Sequence, residues 1–415
     1  MKFSKLLLAM AASGIATSAF ATNGYFAHGY GMKEQSMGGV GIAIPMDGLA
    51  AATNPAGMVM VGNTTDLGLT WFNPVRQATV GTTLYKSHAE SFAVPEFGYN
   101  RMLDQNSSFG VSVFGNGGMN TSYDTIAEFG SGEGTRTGVN LTQLFISPTY
   151  SKKISEKTSI GVSLNIAHQK FAAYGIGNFS GQSDYGSNLS NKGFDDSTGF
   201  GVRLGWLSEV KPGVTVGATY QSRTYMSNFD KYKGLFAEQG DFDIPQNYGV
   251  GIAIQATPKT KVAFDIVKID YSTVKAIANT MQAYTGAKVM DLGSDHGAGF
   301  GWTDQTVFKL GMSHAFSDKL VIRAGYNHGD SPLKDNKDSS LAFNILAPAT
   351  VEDHVTLGLT WNPDKNGELN VAFMHALSNS VSTASSAGTG VWLGGVAVDT
   401  KMKQNSLGVS YSWKL

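Results

Sequence analysis

The stretch Ser159-Ile160-Gly161-Val162-Ser163-Leu164-Asn165-Ile166 alternates strictly between apolar and small or polar residues. Successive side chains of an extended strand point to opposite faces, so this stretch presents one apolar face and one polar face. The same alternation recurs at residues 200–206, 214–221, 250–255 and 320–327. The repeated pattern predicts an all-β protein whose strands each carry one apolar face.

The connections between the predicted strands separate two possible β architectures. Fourteen strands are predicted, near residues 64–73, 91–101, 108–115, 140–152, 158–171, 198–208, 213–224, 246–256, 260–270, 304–315, 319–328, 351–361, 367–376 and 404–415. Tight polar turns such as 155–157 and 257–259 alternate along the chain with loops of roughly 15 to 35 residues, as in outer-membrane barrels. A soluble sandwich would also alternate, but it has no reason to sort its loops in this way.

Barrel closure also has a physical cause. The bilayer core holds no water, so pairing the first strand with the last is the way to satisfy every edge group. An even number of strands returns both barrel ends to the side of the short turns. The sequence therefore predicts a 14-stranded antiparallel transmembrane β-barrel over residues 63–415.

The composition agrees with a barrel and excludes other classes. Charged residues make up 15% of the 415 residues, 51 are glycine and none is cysteine. Low charge and many aromatic residues argue against a disordered chain. The lack of cysteine excludes a disulfide scaffold and a cysteine-rich zinc module. The net charge of -1 gives no basic excess to follow a phosphate backbone, so no nucleic acid partner is expected.

Residues 1–21 have the parts of a secretory signal peptide. Two lysines precede an apolar run from Leu6 to Ile15, and Ala19-Phe20-Ala21 follows. A retained membrane anchor is the alternative, but the run is shorter than the ~18 residues that a spanning helix needs. We expect an exported chain that starts at Thr22.

Residues 22–62 have a different pattern, in which glycine punctuates small apolar residues. Such a segment is too short and too rich in glycine to fold alone. The lumen of a fourteen-strand barrel is wide enough to hold it, because barrel diameter grows with strand number. We predict that it forms a hatch, or plug, in the lumen, and a disordered leader is the alternative.

Two runs in this segment carry a family resemblance. Gly38-Gly39-Val40-Gly41-Ile42-Ala43 and the run from Leu49 to Met58 resemble the N-terminal hatch of the long-chain fatty acid transporter family (FadL/TodX type). Asn54-Pro55-Ala56 stands where that family has its Asn-Pro-Ala motif. The resemblance covers the whole chain: a signal peptide, a hatch and a fourteen-strand pattern, in that order.

The resemblance implies a function and a route. It implies a protein of the bacterial outer membrane that takes up long-chain fatty acids or aromatic hydrocarbons by passive diffusion, without a cofactor or an energy source. In the family, an inward kink of the third strand opens a lateral hole, and a shift at the start of the hatch lets substrate leave sideways into the bilayer. Asn54, Pro55 and Ala56 would then line the passage of the substrate.

The third predicted strand ends in a glycine cluster. Glycine in or beside a strand marks bulges and close backbone approaches. We therefore predict the lateral opening at Gly115, Asn116, Gly117 and Gly118, with the start of a flexible loop as the alternative.

Two arginines are candidates to bind a substrate carboxylate. A fatty acid needs an apolar slot and a cation, because burying an unpaired charge is costly. Arg203 and Arg323 lie on predicted inward faces and could supply that cation. The alternative is that they belong to the ordinary polar lining of a barrel.

Catalytic and metal-binding patterns are absent from the sequence. It has no G-x-S-x-G, H-E-x-x-H or P-loop motif, and its histidines are scattered without ligand spacing. We expect neither an enzyme nor a metal site. A general porin and a surface adhesin barrel remain as alternative functions.

The expected partners follow from the predicted location. They are a hydrophobic small molecule, outer-membrane lipid, lipopolysaccharide and the barrel assembly machinery, and we expect a monomer. The final residues alternate Tyr411, Trp413 and Leu415 with Ser410, Ser412 and Lys414, which resembles the terminal signal of assembly. An ordinary aromatic strand is the alternative.

Overall fold

Fourteen antiparallel strands close into one barrel in the computed structural model, which describes residues 22–132, 134–281, 291–333, 340–364, 366–383 and 396–414. The barrel strands are β1 (Thr64–Val80), β3 (Phe92–Met102), β4 (Ser107–Asn120), β6 (Arg136–Lys153), β7 (Thr158–Tyr174), β8 (Asp195–Lys211), β9 (Val214–Gln221), β11 (Asn247–Thr257), β12 (Thr260–Ile269), β13 (Gln305–Ser317), β14 (Leu320–Gly329), β15 (Asp353–Trp361), β16 (Gly367–Ser382) and β17 (Val398–Lys414). Three short strands lie in or beside the connections: β2 (Thr83–Lys86), β5 (Tyr123–Asp124) and β10 (Tyr225–Met226). The predicted signal peptide, residues 1–21, and Leu415 lie outside the described residues.

The first and last strands pair with each other and close the barrel. β17 runs antiparallel to β1 from the pair Thr64 and Lys414 to the pair Val80 and Val398. This closure confirms the predicted fold class. Several strands extend further than predicted, as β1 does to Val80, because the alternation of polarity fades there while the backbone pairing continues.

The connections are sorted by length, as predicted. Short turns join β3 to β4, β6 to β7, β8 to β9, β11 to β12, β13 to β14 and β15 to β16, at the same end as Thr64 and Lys414. We call this end the turn end and the opposite one the loop end. Gly213, with a φ of 77°, takes the left-handed conformation that the tight turn between β8 and β9 requires.

The apolar faces of the strands point outwards. Ile160, Val162 and Leu164 are 44%, 43% and 44% exposed, whereas Ser163 and Asn165, which alternate with them, are buried. A soluble sandwich would bury the apolar face instead. The exposure therefore decides between the two architectures in favour of a barrel that lies in lipid.

Short helical elements occur in the N-terminal segment and in the long connections. Single turns of α-helix span Met32–Gln35, Met58–Val61, Ala127–Gly130, Lys275–Ala278 and Ser340–Phe343, and 3-10 turns span Ala50–Ala52, Pro55–Gly57, Gly177–Gln182, Gly186–Asn188, Asp230–Tyr232 and Tyr271–Thr273. Ala237–Gly240 forms a further turn, in which Glu238 and Gln239 have left-handed backbone angles. Within the described ranges, none of these helices has the length and apolar character to cross a membrane.

Aromatic side chains fill the loop end of the lumen. The ring of Phe171 lies 4.8 Å from Tyr232 and 4.7 Å from Phe236, and Phe236 lies 4.7 Å from Phe242. All of these rings are buried. The long connections thus fold inwards over the lumen as a packed aromatic cluster.

Candidate functional site: an occupied lumen and a gap in its wall

The N-terminal segment, residues 22–62, runs through the barrel. Almost all of its residues are buried, including polar ones such as Glu34 and Asn54. It packs against inward faces from several directions: Gly38 N donates to Thr356 Oγ1 at 2.7 Å, and Gly41 N donates to Asp265 Oδ2 at 2.8 Å. These contacts tie the segment to β15 and β12.

The Asn54-Pro55-Ala56 motif ties the segment to the opposite wall. Asn54 Nδ2 donates to Ile42 O at 2.7 Å and to Trp206 O at 3.1 Å, while Asn54 Oδ1 accepts from Ala56 N at 3.1 Å. Ala56 O accepts from Ser151 Oγ at 3.1 Å and from Ser159 Oγ at 2.8 Å. The motif is an anchor between the segment and strands β6 to β8, and its predicted role in substrate passage stays a prediction.

Glycines on the inner face make this close approach possible. A Cβ on Gly161 would overlap the Pro55 carbonyl, one on Gly205 would overlap Asn54 Oδ1, and one on Gly217 would overlap Ile42 O. Gly161 pairs with Gly205 across β7 and β8. From the sequence, these glycines were predicted only to belong to the polar side of the alternation. Glycine on the inward face of neighbouring strands is nevertheless a detectable signal of a backbone packed against the wall. We call this glycine-lined part of β7 to β9 the anchor wall.

The wall is incomplete between β3 and β4. These strands pair only from Phe97 and Val113 to Met102 and Ser108, towards the turn end. Beyond that point, residues 92–96 of β3 still pair with β1, and residues 114–120 of β4 still pair with β6. The two strands have therefore separated at the loop end, and β4 has an edge that β3 does not cover.

The N-terminal segment occupies the uncovered edge of β4. Phe26 forms an antiparallel bridge with Gly117, Ala27 N donates to Asn116 O at 3.0 Å, and Gly118 N donates to Tyr25 O at 3.2 Å. Residues 25–27 supply backbone hydrogen bonds that a neighbouring strand would otherwise make. We call residues 92–96 and 114–120 with this occupant the strand gap.

The predicted cluster Gly115, Asn116, Gly117 and Gly118 lies in the strand gap. It belongs to β4, which continues to Asn120, and a bulge interrupts the pairing with β6 between Gly115 and Gly117. Asn116 Nδ2 donates to Gln143 Oε1 at 2.9 Å and Asn116 Oδ1 accepts from Tyr30 at 3.1 Å. The cluster is thus a bulged strand segment rather than the start of a loop, and its role as a substrate opening stays a prediction.

A small cavity of about 50 Å³ lies between the strand gap and the anchor wall. Its lining is mainly apolar and includes two cations, and it consists of Asn23, Phe26, Ala27, Tyr30, Ile42, Ala52, Thr53, Arg203, Thr219, Asn247, Val267, Ile269, Val307 and Lys309. Arg203 Nη1 donates to Thr53 O at 3.1 Å, and Arg203 Nη2 donates to Gln221. Lys309 Nζ donates to His28 O at 2.9 Å and Gly39 O at 3.1 Å. Both cations bind the N-terminal segment beside an apolar space.

Arg323 lies apart from Arg203. It faces inwards three residues from the start of β14 at the turn end, where Arg323 Nη1 donates to Thr360 Oγ1 at 2.6 Å, and it does not line the cavity. The second cation in the cavity lining, beside Arg203, is Lys309. Lys309 was not among the predicted site residues, although its place between the exposed Phe308 and Leu310 marks an inward-facing position.

The N-terminal segment itself carries buried acids, Glu34 and Asp47. Burial raises the pKa of Glu34 well above its usual range, and Thr53 Oγ1 donates to Glu34 Oε2 at 2.6 Å. Burial, together with the charge of nearby Asp66, raises the pKa of Asp47 to about 7. Both shifts follow from removing a carboxylate from water.

An ion-pair network fixes the segment near the turn end. Lys33 Nζ lies 2.5 Å from Glu368 Oε2, and Lys414 Nζ lies 2.6 Å from Glu368 Oε1. The network joins the segment to β16 and β17. Over the described residues, no three His, Asp or Glu side chains are grouped so that they could hold a metal ion.

Solved structures of known proteins share the fold of this chain. Among solved structures, the toluene transporter TodX of Pseudomonas putida superposes with a TM-score of 0.68 at 18% identity, covering 94% of this chain and 99% of that one. A FadL homologue of Pseudomonas aeruginosa gives 0.71 at 13% identity with coverages of 94% and 99%. The toluene transporter TbuX of Ralstonia pickettii gives 0.64 at 18% identity, again with 94% and 99%.

These identities establish a shared fold, and the family follows from the sequence itself. No curated protein matches the chain. A family model described as outer membrane protein transport protein (OMPP1/FadL/TodX) matches residues 18–415. Since this match spans nearly the whole chain, the protein belongs to the OMPP1/FadL/TodX family of outer membrane transport proteins.

Proposed function

We propose that this protein takes up hydrophobic molecules across the outer membrane and releases them sideways through the strand gap. The observation that carries the proposal is the separation of β3 from β4, with residues 25–27 in place of the missing strand pairing. A wall that is closed by a movable segment can open without breaking the pairing of its own strands. Passive diffusion down a concentration gradient then needs no energy source.

The aromatic cluster and the cavity supply an apolar route to the gap. The ring centroid of Tyr25 lies 6.3 Å from that of Phe242 in the aromatic cluster and 5.7 Å from that of Tyr271. Phe26 lines the cavity. The cluster thus continues into the residues that fill the gap. A hydrophobic molecule from outside would meet apolar side chains from the loop end to the exit.

Residues 22–62 act in this proposal as the hatch of the barrel over residues 63–415. The anchor wall and the ion pairs near the turn end hold the hatch while its first residues move. Asn54, Pro55 and Ala56 would keep the lumen plugged, so the protein would not act as an open porin.

The substrate class includes small aromatic hydrocarbons and fatty acids. TodX and TbuX are named as toluene transporters and another neighbour as a FadL homologue, so both classes are represented among similar folds. The presence of Arg203 and Lys309 beside an apolar cavity favours a substrate that carries a carboxylate. Substrate binding therefore offers a direct test of the cavity.

A cross-link tests lateral release. The chain has no cysteine, so Ala27→Cys with Asn116→Cys, bridged by oxidation or a short bis-maleimide, would hold the segment on the β4 edge. Because the gap could not open, we expect uptake of toluene and of a fluorescent fatty acid by whole cells to fall at least about tenfold. Reduction of the oxidised form should restore uptake.

Three controls make that experiment decisive. Each single cysteine variant should transport normally. Thr149→Cys with Ser163→Cys, which joins two residues already paired across β6 and β7, should leave uptake unchanged. Normal uptake by the cross-linked gap variant would exclude lateral release at this position.

A further inference from the structure

Three lysines form one patch on the outer face of the barrel, at the loop end of the closing strands. Lys401 and Lys403 of β17 alternate with the buried Thr400 and Met402, so both project outwards and are exposed. In β1, Gln77 pairs with Lys401 on one side and with Lys86 of β2 on the other. Lys86 therefore lies on the same face, two strands from Lys401.

The patch lies just beyond the apolar band of the wall. On β17, Leu407 and Val409 are 46% and 45% exposed, and Leu407 pairs with the exposed Trp71. Lys403 lies four residues from Leu407 towards the loop end, which is about 10 Å along the barrel axis for a tilted strand. Between them, the outward-facing His375 and Asn405 share a hydrogen bond of 2.8 Å. The lysines thus stand at the height of lipid headgroups, above the acyl chains.

These lysines differ from two other exposed lysines on barrel strands near the loop end. Lys170 lies 4.0 Å from Asp196, and Lys268 lies 3.8 Å from Asp270 and 3.6 Å from Asp304. Across the described part of the chain, no ion pair within 4.0 Å involves Lys86, Lys401 or Lys403.

The acid on this part of the sheet does not neutralise the patch. Asp399, two residues from Lys401 on the outer face of β17, accepts a hydrogen bond from Ser382. At the loop end of β1, β2 and β17 themselves, three ammonium groups accompany this one carboxylate, so these strands carry a net positive charge on their outer face.

We propose that Lys86, Lys401 and Lys403 bind the phosphorylated sugar headgroup of a lipopolysaccharide molecule in the outer leaflet. Its phosphate groups lie at the membrane surface and carry the complementary charge, and its acyl chains would pack on the apolar band below. Asn405 and His375 add hydrogen-bonding groups between the two levels. The site faces lipid on β17, β1 and β2, so it is distinct from the lumen and does not depend on the proposed transport route.

Charge removal with a matched control tests the site. The triple variant Lys86→Ala, Lys401→Ala and Lys403→Ala of the full-length protein is compared with Lys157→Ala, Lys259→Ala and Lys319→Ala, which removes the same charge from exposed turns at the turn end. Binding of fluorescent lipopolysaccharide to the detergent-solubilised barrels is titrated. We expect the first variant to lose at least about tenfold in affinity, since each surface lysine contributes to attraction of anionic lipid. The control variant should bind as the native protein does.

Two further arms identify the ligand. Lipopolysaccharide stripped of its phosphates should bind the native protein as weakly as the intact lipid binds the triple variant, and millimolar inorganic phosphate should not displace the intact lipid. Native-like binding by the triple variant, equal binding of the stripped lipid, or complete displacement by inorganic phosphate would each overturn the proposal. The double variant Lys401→Gln and Lys403→Gln, with a loss of affinity expected in the same direction, serves if the triple variant fails to form a heat-resistant barrel.

Discussion

The N-terminal segment contacts the barrel in two contrasting ways. At the anchor wall the strands are fully paired, and the segment is held by side-chain hydrogen bonds and by glycines that allow close approach. At the strand gap the wall itself is unpaired, and the segment contributes backbone hydrogen bonds in place of a strand. The first contact fastens the segment to a complete wall, whereas the second completes the wall.

This difference assigns a different mobility to the two ends of the segment. Removing residues 25–27 from β4 breaks a few backbone hydrogen bonds, each with a net value of about 1 kcal/mol. Close packing against glycine occurs at both places, at Gly117 as at Gly205. Movement at the anchor wall would also break side-chain hydrogen bonds of the Asn54-Pro55-Ala56 motif with β6, β7 and β8. We therefore expect the gap to open while the anchor stays in place.

The largest effect is expected when the anchor wall is filled. Gly205→Val places a branched side chain where Asn54 Oδ1 lies, so the hatch must be displaced. We expect conductance in planar bilayers to rise at least about tenfold. The side chains of a wide barrel do not fill its lumen, so an aqueous channel remains once the plug is displaced. Gly181→Val, at a site with open space, should conduct as the native protein does. An unchanged conductance of the Gly205 variant would show that the anchor wall does not hold the plug.

Loss of the Asn54 side chain should loosen the same contact less severely. Asn54→Ala removes three hydrogen bonds, about 3 kcal/mol at about 1 kcal/mol each. Hydrogen exchange of residues 40–57 should become faster while that of residues 25–27 changes little. Asn228→Ala, which removes two hydrogen bonds in an exposed loop, is the matched control. Equal acceleration at both ends of the segment would abolish the contrast between anchor and gap.

The cavity between the two regions should distinguish charged from neutral substrates. Arg203→Ala and Lys309→Ala each remove a cation from its lining, so the dissociation constant for a fluorescent fatty acid should rise about tenfold. Toluene uptake should stay within twofold, because toluene carries no carboxylate. Arg323→Ala, which removes an arginine outside the cavity, should leave both unchanged. An equal loss for both substrates would favour a purely structural role for the two cations.

The smallest effect is a pH dependence of the protein's thermal stability, which arises from Asp47 in the N-terminal segment. The pKa of Asp47 is raised to about 7 by burial and by Asp66, so the folded protein keeps this proton to a higher pH than the unfolded chain, in which Asp titrates near 3.8. The stability that neutral Asp47 contributes is complete below about pH 4 and is lost as the pH rises through 7. The melting temperature should therefore fall between pH 5 and pH 8. Asp47→Asn should flatten that slope, and an unchanged slope in the variant would exclude Asp47 as its source.

Much of the fold could be predicted because its signals are local. The alternation of residues such as Ile160 and Gly161 sets the two faces of a strand, and the turn residues set its ends. These features need no knowledge of distant neighbours. They correctly gave fourteen strands, their outward apolar faces and the inward positions of Arg203 and Arg323.

The candidate site depends on the arrangement of distant strands. The glycine cluster at 115–118 indicates a local irregularity of the strand. The separation of β3 from β4 cannot be read from it, because that separation depends on how β1 and β6 hold the two strands from either side. Likewise, alternation shows that a side chain points inwards but not its height in the lumen. Height is set by the stagger of all the strands around the closed barrel.

Sequence alone thus determined that this chain forms a barrel with an apolar exterior, since strand period and turn chemistry act over a few residues. Only the tertiary structure decided that Arg203 meets Lys309 rather than Arg323, and that residues 25–27 complete the wall at Gly117. The physical reason is that register and closure belong to the whole sheet and not to any one strand.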